Sequence, residues 1–219
     1  MSKVVGKQDL IPLMQDGLVI MIGGFLACGT SEKMIDFIIE QGIKDLTIIS
    51  SDTSFVDKGT GRLIANRQVK KVIASHIGTN PMTGQLMNSG DMEVELVPQG
   101  TLVERIRAGG YGLGGVLTPT GVGTMVAEGK EVMTINDKDY LLEMPLKADI
   151  AILSGSVVDS FGNTLYKGTT RNFNPIIAMA AKHVIVEADQ LVEPGDIDPE
   201  YIMTPGVLVD YIIKGGHDD

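Results

Sequence analysis

Tryptophan is absent from this 219-residue sequence, aromatic residues make up 5% of it, and Cys28 is the only cysteine. A single thiol excludes an internal disulfide and fits a reducing compartment, so the chain is expected in the cytoplasm. No apolar run approaches the roughly 20 residues that a membrane-spanning helix needs. The N-terminus, Met1-Ser2-Lys3-Val4-Val5-Gly6-Lys7, has no apolar signal core, so neither membrane nor export is expected. Basic residues are outnumbered, 18 Lys and Arg against 28 Asp and Glu, for a formal charge of −10. That balance gives no reason to expect a nucleic-acid partner. His76, His183 and His217 are scattered, and no His or Cys cluster has metal-ligand spacing. A Gly-x-Ser-x-Gly elbow, a P-loop lysine and the dinucleotide fingerprint are also missing.

What is present is a core-forming composition, 43% apolar, with 27 glycines and no low-complexity repeat. That suits a folded α/β chain rich in tight turns, and residues 1–219 read as one domain with a disordered tail over about 215–219. Residues 18–23 read as a buried strand, followed by a glycine turn and a helix over residues 32–41. Thr30 or Ser31 is placed to cap that helix and Gly42 to end it. A second strand over residues 46–50 completes a βαβ unit, whose crossover is expected to be right-handed.

Further strands are expected over residues 70–76 and 93–97, with a break at Thr79-Asn80-Pro81. Thr101 and Glu104 form a capping-box pattern opening a short helix to Arg107, ended by Gly109-Gly110. Residues 109–124 are glycine-dense but varied, and read as ordered loop. A hairpin turning at Asn136-Asp137, a buried strand over residues 148–156 and a turn at Gly162-Asn163 follow. Asn174 reads as an N-cap before Pro175. A strand over residues 183–187 and an apolar run over 207–213 complete the pattern. The fold class is α/β: an open, mainly parallel sheet with flanking helices and added antiparallel hairpins.

Chemistry is harder to place. Strand, glycine turn and helix N-terminus together make a concave row of backbone N–H groups that suits an anion, or simply a tight turn. Cys28 reads as a thiol near a helix N-terminus or, more plainly, as packing in a turn. Glu104 has its capping role, and Glu143 and Glu187 end strands. The chain offers backbone donors and hydroxyls but no convincing nucleophile, which suits one subunit of a shared site.

Several segments in order carry a resemblance. Asp16-Gly17, the apolar run, Gly23-Gly24-Phe25 and Gly29 resemble the signature of the A (alpha) subunits of family I CoA-transferases. So do Val97-Pro98-Gln99-Gly100-Thr101-Leu102, residues 104–110, residues 117–124, Arg171-Asn172-Phe173-Asn174-Pro175 and Thr204-Pro205-Gly206. The resemblance spans nearly the whole chain and implies a CoA-transferase / ribose-phosphate-isomerase-like fold. It implies transfer of CoA between a short-chain acyl-CoA and acetoacetate or a similar short carboxylate. The route is ping-pong, through a glutamate on a B (beta) subunit that forms an acyl-glutamyl anhydride and then a glutamyl-CoA thioester.

Coenzyme A is then a substrate, no cofactor is permanently bound, and the assembly is a heterotetramer or larger. The resemblance makes Gly23, Gly24, Phe25, Leu26, Ala27, Cys28 and Gly29 the CoA-binding segment and Gln99 an amide beside the oxyanion. Gly109 to Gly115 are implied as a wall of the acyl channel. Two letters depart from the family pattern: Ser31 stands where proline is usual, and Ser51 where asparagine often precedes Asp52-Thr53. The alternative is a sugar-phosphate isomerase or ligand sensor of the same broad fold. The former needs a general base in a complete site, the latter an attached basic helix-turn-helix. A purely structural subunit is the third reading.

Overall fold

A computed structural model describes residues 3–215. Residues 216–219 of the expected disordered tail, with His217, lie outside the described residues. The chain opens with a 3-10 helix, Lys7–Leu13, and then alternates. Strand β1 is Val19–Ile22, helix α1 Glu32–Gln41, β2 Leu46–Ile49, α2 Thr60–Ala65 and β3 Val69–Ala74. Next come α3 at Pro81–Ser89, β4 at Glu93–Leu96, α4 at Gln99–Tyr111 and β5 at Val116–Thr118. The second half adds β6 at Val132–Ile135, β7 at Lys138–Glu143, β8 at Ala148–Gly155, β9 at Val157–Asp159 and β10 at Thr164–Leu165. It ends with α5 at Asn174–Ile177, β11 at Ala181–Ala188, β12 at Leu191–Val192 and β13 at Tyr211–Lys214.

Seven strands form one sheet in the order β13-β11-β8-β1-β2-β3-β4, with every pair parallel. The chain starts at β1, steps outward to β4, then returns to lay β8 on the other side of β1. That reversal is the topological switch point, where the carboxyl ends of neighbouring strands leave a crevice. Strands in such a sheet are covered on both faces, which is why β1 reads as an unbroken apolar run and β2 as one broken only by Thr47. Alternation divides their side chains between two cores. Ile20, Ile22, Ile48 and Ile152 pack under α1 with Met34, Phe37 and Ile38. Met21, Ile49, Ala151 and Leu153 face the other way, with Leu102 and Ile106 of α4 and Ile177 of α5. Among the described residues no helix is long and apolar enough to cross a membrane.

The expected hairpin is present: β6 and β7 pair antiparallel, and Asn136 and Asp137 both take positive φ, as a two-residue primed turn requires. Helix α4 departs from expectation. It starts at Gln99 after Pro98, and Thr101 lies inside it, its buried hydroxyl without a protein partner. Glu104 pairs with Arg107 at 3.1 Å, so no capping box forms. Gly109 and Gly110 continue the helix, which stops at left-handed Gly112. A Cβ on Gly109 would overlap the Leu146 carbonyl, and one on Gly110 would lie 2.7 Å from Met179 Cβ. The pair therefore brings α4 against its neighbours, against a helix-propensity cost of about 1 kcal/mol each. Helices α2 and α3 were not anticipated. In α3, Asn80 accepts the Met82 N–H at 3.2 Å ahead of Pro81, so the expected break is a helix start.

The cap of α1 also differs. Thr30 donates its hydroxyl to the Gly23 carbonyl at 3.0 Å. Ser31 occupies the N-cap position, but it donates its hydroxyl to Glu187 Oε2 at 2.5 Å. The Lys33 N–H donates to the same oxygen at 3.1 Å. A carboxylate from β11 thus caps the helix, where the dipole favours negative charge. This accounts for serine in place of proline: the hydroxyl is a donor that proline lacks.

Burial pushes the Glu187 carboxyl above its usual value of 4.5, against the pull of Ser31 and the Lys33 N–H. From pH 4.5 upward to the raised native value, the folded chain holds the proton more tightly than the unfolded chain. Glu187 therefore makes stability fall as pH rises through that window. Urea unfolding across the window is expected to show this slope reduced in Glu187→Gln. A variant with the full wild-type slope would contradict the linkage.

Candidate active site

The site is built at the switch point, from the ends of β1, β2, β3 and β8. As β1 ends, the Gly23 N–H donates to Ile152 of β8 at 3.0 Å. Asn174 fills the crevice above and is fully buried. Its Oδ1 accepts the Ser154 N–H at 3.0 Å, and its Nδ2 donates to Gly29 O at 2.9 Å and Thr170 O at 2.8 Å. The expected N-cap role is not what Asn174 performs; Phe173 occupies that position. A Cβ on Gly23 would overlap Asn174 Oδ1, one on Gly24 would overlap Thr30 Oγ1, and one on Gly29 would meet Thr170 O at 2.8 Å. These glycines admit the protein's own side chains and backbone.

Residues 25–28 form a tight reversal closed by two hydrogen bonds, Phe25 N–H to Cys28 O at 3.0 Å and Cys28 N–H to Phe25 O at 2.9 Å. Its central residues, Leu26 and Ala27, have φ of 49° and 66° without being glycine. Each such residue costs about 1 kcal/mol or more, so its surroundings must hold it. Asn172 does so from one side, accepting the Gly24 N–H at 3.0 Å and donating to Cys28 O at 3.0 Å. Asp52 does so from the other, accepting the Leu26 N–H at 3.1 and 3.2 Å and the Ser54 N–H at 2.8 Å. The amide row that suits an anion in the sequence is thus largely taken by protein acceptors. What the loop turns outward is the Phe25 ring, 48% exposed, and the Cys28 thiol, which lies 3.2 Å from Thr169 Oγ1.

Gln99 is exposed and is the first residue of α4, at the positive end of the helix dipole. Its Oε1 makes a short hydrogen bond with Ser75 Oγ, just beyond β3. The Ser75 N–H in turn donates to Ser51 O at 3.0 Å, and the Ser75 hydroxyl oxygen also lies within hydrogen-bond reach of that carbonyl, at 2.7 Å. Ser51 adjoins Asp52, so Gln99 and the glycine loop are joined through Ser75, Ser51 and Asp52. The hydroxyls of Ser51 and Thr53 are buried without protein partners. Gly109 and Gly110 lie in α4, and a Cβ on Gly115 would lie 3.1 Å from Glu143 O.

Four supporting roles escaped the sequence reading: Asn172 and Asn174, seen as motif and cap, Asp52 as a loop brace, and Ser75 as the partner of Gln99. The Arg171–Pro175 motif signalled the two asparagines and the Asp52-Thr53 pair signalled Asp52, whereas nothing signalled Ser75. Chemically, the edge presents a neutral amide donor at a helix start beside hydroxyls. Its buried carboxylates, Asp52 and Glu187, already accept backbone N–H groups. Such a surface can stabilise negative charge developing on an oxygen.

Residues 8–215 match the family model described as coenzyme A transferase. The chain is 59% identical to the acetoacetyl-CoA:acetate/butyrate CoA transferase alpha subunit of Clostridium acetobutylicum, over 97% of this chain and 98% of that one. It is 53% identical to the acetate CoA-transferase subunit alpha of Escherichia coli K12, over 97% and 96%. In fold it is similar to an acyl-CoA transferase of Escherichia coli O157:H7 solved as a thioester complex with CoA, with TM-score 0.84 at 20% identity. That likeness covers 98% of this chain and 50% of the other, so this chain spans half the length of that protein.

Asn174→Ala leaves the Ser154 N–H and two carbonyls without a partner, and is expected to destabilise the chain by about 3 kcal/mol. Gly23→Ala alone is also expected to destabilise, by forcing a methyl group against Oδ1. In the double variant the methyl group enters space that the carboxamide has left, so urea unfolding should show a loss smaller than the sum. Strict additivity would contradict the shared crevice.

Proposed function

The chain belongs to the coenzyme A transferase family, and from that premise we propose that it is the A subunit of an enzyme moving CoA between a short-chain acyl-CoA and acetoacetate or a similar short carboxylate. The observation that carries this reading is the end-to-end match, at 59% identity, to an acetoacetyl-CoA:acetate/butyrate CoA transferase alpha subunit. Residues 1–219 act in this reading as one domain, paired with a B subunit in a heterotetramer or larger assembly in the cytoplasm. A structural relative twice as long supports a site completed by a second half.

A glutamate carboxylate of the B subunit attacks the thioester carbonyl, and the resulting tetrahedral oxyanion collapses by expelling the CoA thiolate. An acyl-glutamyl anhydride remains. The thiolate then attacks the glutamyl carbonyl, the acyl carboxylate leaves, and a glutamyl-CoA thioester is formed. The acceptor carboxylate runs the same steps in reverse. Each addition places negative charge on a carbonyl oxygen. The Gln99 amide donates to that oxygen, and because it is uncharged it brings no counterion to displace. Gly23, Gly24, Phe25, Leu26, Ala27, Cys28 and Gly29 form the CoA-facing wall. The outward Phe25 ring provides apolar contact surface, and the glycines set the loop's shape.

Purified alone, this chain is expected to transfer no CoA from acetyl- or butyryl-CoA to acetoacetate, and to do so when mixed with a B subunit. In the complex, Gln99→Ala should lower kcat by about 100-fold with little change in KM. Robust transfer by the isolated chain, or an effect confined to KM, would sink the split-site and oxyanion roles respectively. Borohydride added after acyl-CoA should modify a glutamate of the partner, and label on Cys28 would overturn the assignment.

A further inference from the structure

The Gln99 side chain is a reversible group: one end donates, the other accepts, and a half-turn of the amide exchanges them. Gln99 stabilises an oxyanion only if Nε2 faces the substrate, since Oε1 in that place would repel it. Its setting therefore decides whether the helix start is a donor or an acceptor. Ser75 is the group that touches it. The Ser75 hydroxyl has one proton and two acceptors within reach, Gln99 Oε1 and Ser51 O at 2.7 Å. It cannot serve both.

If the proton goes to Ser51 O, the Ser75 oxygen is left as an acceptor, and the Gln99 amide must turn Nε2 toward it. The donor is then used inside the chain and Oε1 faces the pocket. If the proton goes to Gln99 Oε1, Nε2 is left for the substrate. Ser51 O decides between the two, because it already accepts the Ser75 N–H at 3.0 Å. Withdrawing the hydroxyl therefore leaves no carbonyl without a partner, whereas withdrawing it from Gln99 frees the amide to turn. Ser75 itself is fixed by β3, whose Ile73 carbonyl accepts the Ser50 N–H at 3.2 Å.

We propose that Ser75 is the positioning residue of the reaction: its hydroxyl donates to Gln99 Oε1 and so sets Nε2 as the donor presented to the acyl oxygen. This rests on the oxyanion reading of Gln99. It also explains how an exposed, flexible glutamine keeps one orientation without a charged partner.

The test uses the reconstituted complex with an acyl-CoA and acetoacetate, comparing Ser75→Ala, Ser75→Thr, Gln99→Ala and the Ser75→Ala/Gln99→Ala pair. Ser75→Ala should lower kcat by about fivefold, the worth of one net hydrogen bond, with KM for both substrates unchanged. Ser75→Thr, which keeps the hydroxyl, should restore kcat. The double variant should be no slower than Gln99→Ala, because the serine acts only through the amide. If Gln99→Ala lowers kcat and Ser75→Ala does not, or if their effects multiply, the positioning role is overturned and the oxyanion role stands. If Gln99→Ala leaves kcat unchanged, both fall. Unfolding of each variant, measured in parallel, identifies any loss of kcat that comes from destabilisation; a loss wholly of that origin also overturns the role.

Discussion

One buried carboxamide holds the switch point together. Both ends of the Asn174 amide are engaged: Oδ1 accepts from the end of β8, and the two Nδ2 hydrogens go to the first loop and to the segment before α5. The first loop lies 145 residues from Asn174 in sequence, and each of the three pieces has a backbone group that burial would otherwise leave unpaired. Gly23 must lack a side chain because Asn174 stands there. With the crevice closed in this way, Asn172 lies beside the loop and Asp52 takes its Leu26 N–H. The left-handed Leu26 and Ala27 are held by these contacts, and the exposed Phe25 follows from the turn they make.

The excess of acid in the sequence has a related use. Asp52 and Glu187 accept backbone N–H groups near the site. Asp149 accepts the Val19 N–H at 3.0 Å at the start of β1, and Asp210 the Val184 N–H at 2.8 Å within β11. Asp159 accepts from Phe161 and Asn163 in the β9–β10 turn. Charge-assisted bonds of this kind fix strand and helix ends more firmly than neutral ones. Part of the acid excess therefore serves to anchor loops and element ends.

The parallel sheet was legible in the sequence because strands buried on both faces leave continuous apolar runs, as at Val19–Ile22 and at residues 150–153 of β8. The primed hairpin at Asn136-Asp137 was legible because few residues tolerate its φ. Helix α3 was not, since only Thr83 and Leu86 are buried in it and its apolar stripe is thin. The extent of α4 was misjudged because Gly109 and Gly110 resemble a stop, while their reason is tertiary: Leu146 and Met179 leave no room for a side chain. Gln99 and the glycine loop were identified from motif likeness, but the meaning of the glycines was not local. Gly23 and Gly24 look like a cradle in sequence and are filled by Asn174 and Thr30 in the fold. Ser75 carried no signal at all, because its role depends on where α4 begins.

The central claim is that the carboxyl edge of this sheet supplies the donor, and another chain the nucleophile, of one active site. A crystal structure of the reconstituted heteromer trapped with an acyl-CoA tests it most directly. The account predicts a CoA thioester on a glutamate of the partner, its carbonyl oxygen about 3 Å from Gln99 Nε2. Ser75 Oγ should lie against Oε1 and residues 23–29 along the bound CoA. A thioester whose carbonyl oxygen is held by the partner alone, with Gln99 turned to solvent, would contradict it.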